Sequence, residues 1–78
     1  MSDPAVTEVA NKLAVECLAA QKEVGEDRLF MKVGEVVGVS SQTVEEAFLT
    51  AIRTRMAEIQ GRDFLLKKIK AHRADKAE

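Results

Sequence analysis

With one cysteine, one histidine and neither tyrosine nor tryptophan, this 78-residue chain has little of the material from which active sites are made. A single cysteine rules out an internal disulfide and a zinc site built on cysteine pairs, and a single histidine supplies no ligand cluster. The sequence contains no pairing of a nucleophile with its base, so the expectation is a protein that is not an enzyme and takes no cofactor or metal. Long apolar runs are also missing. No stretch approaches the roughly 18 uncharged apolar residues of a membrane span, and residues 1–12 lack the basic start and apolar run of a signal peptide. A cytoplasmic protein without membrane contact is therefore expected. Proline occurs once and glycine four times, while 46% of residues are hydrophobic, which excludes a disordered chain and favours one small folded domain.

Charge is present in quantity but unevenly placed. Residues 1–50 hold nine acidic and four basic side chains, whereas residues 51–78 hold eight basic and four acidic ones, so the formal net charge of −1 conceals opposed halves. Such halves attract each other within a fold or between two copies, or leave the basic half facing an anionic partner.

Apolar residues recur at helical spacing throughout, and no strand pattern is seen. Asp3 is placed to cap a helix that starts at Pro4, with Val6, Val9, Ala10, Leu13, Cys17 and Ala20 on one face to about residue 21. Cys17 lies inside that stripe and reads as a buried small hydrophobe. Asp27 is a candidate cap for a second helix over 27–37, ended by Gly38 in a left-handed turn. Ser40 or Ser41 is placed to cap a third helix over 41–60, with Val44, Phe48 and Ile52 buried and Gly61 as its stop. A fourth, basic helix is expected over 62–73, with His72 at its edge and a frayed tail over 74–78. The expectation is an all-α bundle of about four helices forming a single domain over residues 1–73.

The segment Phe30-Met-Lys-Val-Gly-Glu-Val-Val-Gly-Val-Ser-Ser-Gln-Thr-Val-Glu-Glu-Ala-Phe-Leu49 resembles the helix-turn-helix of bacterial and phage transcription regulators. A small residue is wanted at Gly34, where the two helices would approach most closely, and glycine at Gly38, where the turn would need positive φ. Val33, Val37, Val39, Val44 and Ala47 would lock one helix across the other.

The resemblance implies a small regulator that binds duplex DNA, as a dimer because one short recognition helix makes few base contacts. It places Ser41, Gln42, Thr43 and Glu45 against base edges, and phosphate neutralisation must then come from basic residues outside that face, for which Arg53, Lys67, Lys68 and Lys70 are the candidates. The same face carries adjacent Glu45 and Glu46 and no Arg or Lys before Arg53. This suits a second reading, an adaptor or inhibitor that docks Glu45, Glu46 and Leu49 on a basic protein surface. The seam Leu49, Ile52, Met56 and Ile59 suits packing of the fourth helix or of a second protomer.

Overall fold

The structure is a computed structural model that describes residues 3–77. Every regular element among them is helical: α1 spans Pro4–Val24, α2 Leu29–Ser40 and α3 Gln42–Ala77. Three helices stand where four were expected, because the third and fourth expected segments are one continuous helix of 36 residues.

The reason lies at Gly61. A glycine stops a helix when it adopts positive φ and the chain beyond it folds back onto an apolar contact. Among the described residues only Gly25 has positive φ, at 70°. Gly61 is flanked by good helix formers and spanned by the Glu58–Arg62 ion pair at 2.8 Å, one turn apart, so the cost of about 1 kcal/mol for a helical glycine is tolerated. No atom lies within 4 Å of the position a Cβ would take at Gly61. Gly61→Ala is therefore expected to raise stability by about 0.5–1 kcal/mol in thermal unfolding followed by circular dichroism. A fall in stability would mean that the glycine conformation, and hence a break in α3, is needed. The helix continues through Ala77, past the point where fraying was expected; Glu78 lies outside the described residues.

α1 begins as its sequence dictates, with the Asp3 carboxylate accepting a hydrogen bond from the Ala5 N–H at 2.8 Å. It runs three residues beyond the expected end and stops at Gly25. The N-terminus of α2 is capped differently from expectation. Arg28 rather than Asp27 occupies the capping position, without a side-chain cap, and the Gln21 side chain of α1 reaches across to accept from the Phe30 N–H at 2.9 Å. α2 then runs through Gly38 to Ser40, so Gly38 is helical and the left-handed turn expected there is not formed. The corner consists of Ser41 alone, extended at φ −156° and ψ 110°. Its N–H donates to the Val37 carbonyl at 3.0 Å, and its hydroxyl oxygen accepts from the Val44 N–H at 3.1 Å. Ser41 thus closes one helix and opens the next.

Because α2 is longer than expected, Val39 moves from a turn position to the outer face of a helix and is 89% exposed. Val44 is half-buried rather than buried. Phe48 and Ile52 are buried as expected, joined in the core by Ala10, Ala14, Cys17 and Ala51. The α1 stripe is rotated slightly from the sequence reading: Ala14 is inside, and Val9 is 53% exposed. Gly34 is buried at the α2–α3 crossing, where a Cβ would sit 3.4 Å from Leu49 Cδ2, which is the close approach its small size was expected to serve.

The core is confined to the first fifteen residues of α3 and the two helices beside them. From Ala57 to Lys76 every residue is exposed, a segment about 30 Å long at 1.5 Å per residue. The overall extents of 58 × 31 × 13 Å reflect this projection and the thinness of the three-helix layer from which it extends.

Candidate interaction surfaces

Three surfaces combine exposure with chemistry: the α2–α3 corner, the distal half of α3, and an open groove between α1 and α3.

At the corner, the structure engages several of the expected base-reading side chains internally. The Ser41 hydroxyl caps α3. Glu45 is half-buried and lies over Gly38, where a Cβ would come within 2.5 Å of its carboxylate. Gly38 therefore has a use other than the one expected, as room for a glutamate. Leu49 is half-buried against Gly34, so of the partner-binding trio Glu45, Glu46 and Leu49 only Glu46 is exposed. Gln42 and Thr43 are exposed.

The expected phosphate contacts are not beside this corner. Arg53 is exposed eleven residues along α3 from Gln42, about 16 Å, while Lys67 is 25 residues away, about 38 Å along a straight helix. Lys67, Lys68 and Lys70 are all in water, and the Lys68 ammonium sits 5.8 Å from the centre of the Phe64 ring. One molecule thus presents the two sets on separate regions of its surface.

The distal half of α3 has a sided character. At 100° per residue, Ile59, Leu65, Leu66 and Ile69 fall within about 120° of arc, and that arc continues the face through which Ala47, Phe48 and Ala51 pack in the body. Leu65 is 60% exposed and Leu66 53%. Six basic residues (Arg62, Lys67, Lys68, Lys70, Arg73, Lys76) and three acidic ones lie between Ala57 and Lys76. The Arg62 guanidinium donates to Glu58 and holds that carboxyl below its ordinary value, by hydrogen bond first and charge second. His72 is exposed, and no group of metal-ligating side chains occurs among the described residues.

The groove was not foreseen. It is open, encloses about 660 Å³, and has Val6, Ala10, Ala47 and Ala51 along its floor with Asp3 and Glu46 at its margins. Thr43, Thr50 and Thr54 line the α3 side, roughly opposite the Glu45–Leu49 edge that meets α2. The signal for it was present as small residues, Ala47 and Ala51, beside a run of threonines at spacings of seven and four.

Cys17 is 4% exposed, and burial pushes its thiol above the ordinary value. A thiol whose folded pKa is raised contributes no pH dependence at neutrality and loses stability as pH climbs past its ordinary value near 9.0. Reaction with a water-soluble disulfide reagent at pH 8 is expected to be at least about tenfold slower in the native chain than in denaturant. Equal rates would contradict the burial.

Among described residues no helix is long and apolar enough to cross a membrane. Compared with known proteins, the chain matches no family model, no curated protein and no solved structure.

Proposed function

We propose that this chain is a non-enzymatic helical module that binds a protein partner through the distal half of α3. The observation that carries this reading is the exposed stripe Ile59, Leu65, Leu66 and Ile69 on a helix segment with no neighbour. A helix that contacts only water or phosphate has no use for four large apolar side chains on one arc, whereas an amphipathic helix laid in a groove buries them. The basic residues flanking the stripe favour an acidic groove.

A second reading, a helix-turn-helix transcription regulator that binds duplex DNA as a dimer, draws on the cluster Lys67, Lys68 and Lys70. It needs base contacts from Gln42 and Thr43, with Ser41 and Glu45 released from their internal contacts, and phosphate contacts from a region about 38 Å away. Fluorescence anisotropy with a random-sequence duplex at two salt concentrations separates the readings. The protein-docking reading expects binding no tighter than the weak end of non-specific affinity, about 100 µM at physiological salt. Submicromolar binding that falls steeply with salt, weakens when Lys67, Lys68 and Lys70 are neutralised and strengthens in Glu46→Gln would reverse the order in favour of DNA.

A further inference from the structure

We propose that the partner is a second copy of this chain, and that the two copies exchange their distal α3 segments, each segment lying in the α1–α3 groove of the other. This deepens the protein-docking reading and rests on it.

Surface area gives the first reason. A compact monomer of 8.6 kDa exposes about 4,700 Å², whereas this chain exposes 6324 Å². The surplus, about 1,600 Å² per chain, exceeds the roughly 800 Å² that each partner buries in an interface of standard size and falls in the range of permanent dimers. Among the described residues the three-helix layer buries six hydrophobic side chains, and stable domains are built from at least two packed layers.

Charge gives the second. From Asp3 to Met56 there are nine acidic and six basic side chains, and from Ala57 to Lys76 six basic and three acidic. Body and projection therefore carry equal and opposite net charge. The two charged residues at the groove, Asp3 and Glu46, are both acidic, and its floor is apolar and made of small side chains that let a helix approach closely. A segment whose apolar arc also carries Arg62 and Arg73, with Lys70 at its edge, complements that surface in sign.

Reach selects a second copy. The groove is lined by Thr43 to Thr54 of the same helix that carries the stripe, and Leu65 lies about 16 Å beyond Thr54 along the same axis, past the end of the groove. A chain fills its own groove only by breaking α3, whereas another chain fills it with α3 intact. Two-fold exchange makes the two α3 helices antiparallel, each laying its distal half along the proximal half of the other, and both grooves are filled at once. Leu66 then lies near Thr50 of the other copy, and the two Leu66 side chains are more than 20 Å apart along the helix axes.

Sedimentation equilibrium at about 50 µM, together with cross-linking by a short bismaleimide, tests this. The wild-type chain is expected at twice 8.6 kDa. Leu65→Asp with Leu66→Asp is expected to remain helical by circular dichroism and to weaken self-association at least about a hundredfold, since two buried leucines are replaced by charges. In a mixture of Thr50→Cys chains with Leu66→Cys chains, cross-links should join one kind to the other. The buried Cys17 does not compete. A wild-type monomer at this concentration overturns the exchange, as does a dimer linked Leu66→Cys to Leu66→Cys, which would mean that two projections pair with each other. A monomeric Thr50→Cys/Leu66→Cys double variant that links within one chain overturns it too, by placing the segment in its own groove. None of these failures touches the protein-docking reading, which stands or falls on the DNA titration.

Discussion

Phe48→Ala is expected to cost about 3–5 kcal/mol and to leave much of the chain unfolded at room temperature. Phe48 is fully buried and, with Ile52, is one of the two largest side chains removed from solvent among the described residues. The other buried residues, Ala10, Ala14, Cys17 and Ala51, are small, and the larger side chains packed around them, among them Leu13, Phe30 and Met56, are only partly buried, so a lost phenyl ring leaves a cavity or admits water. A domain of this length has roughly 4–12 kcal/mol of stability in all, so one truncation removes a large share of it. Val9→Ala serves as the control. It shortens an apolar residue of similar helical position, but Val9 is half in water and is expected to cost under about 0.5 kcal/mol. Urea unfolding of both variants checks the pair, and similar losses at the two sites would refute the assignment of the core.

Gly34→Leu is expected to destabilise by about 1–3 kcal/mol, while Gly34→Ala leaves stability unchanged or raises it. At the α2–α3 crossing a Cβ on Gly34 meets Leu49 Cδ2 at 3.4 Å, an ordinary van der Waals distance. One methyl group therefore fits, and it brings the better helix propensity of alanine. Anything longer drives into Leu49, which is held by the helix behind it. Combining Gly34→Leu with Leu49→Ala should recover part of the loss, because the two side chains compete for the same space. Thermal unfolding of the four proteins measures the coupling. Strict additivity would mean that the two residues do not meet.

Helix content, the caps at Asp3 and Ser41, the close approach at Gly34 and the burial of Phe48 and Ile52 were legible in the sequence, since each depends on local chemistry or on 3.6-residue periodicity. The glycines were harder to read. A stop signal and a tolerated helical glycine look the same in one dimension. What distinguishes them is whether the following segment finds an apolar surface to fold back on, and at Gly61 the intact helix with its Glu58–Arg62 pair prevails. At Gly38 the same ambiguity concealed a space for Glu45. Treating Gly61 as a boundary also concealed the projection, because the stripe at Leu65, Leu66 and Ile69 reads as the core face of a packed fourth helix. The Gln21 contact to Phe30 and the α1–α3 groove are products of tertiary packing, which no local pattern encodes. Of the expected site residues, Gln42, Thr43, Arg53, Lys67, Lys68 and Lys70 are exposed, while Ser41 and Glu45 are drawn into the corner.

Docking through the distal half of α3, and exchange between two copies, both require α3 to be one unbroken helix whose distal half stands clear of the chain's own body. Spin labels at Gln42→Cys and Arg73→Cys, in chains diluted into an excess of unlabelled protein, report this directly by pulsed dipolar spectroscopy. The two positions are 31 residues apart on α3, so a continuous helix places their backbones about 47 Å apart. A narrow distribution near that distance is the expected result. A distribution centred below about 20 Å, as a chain folded back at Gly61 would give, would contradict the projecting helix and the exchange built on it.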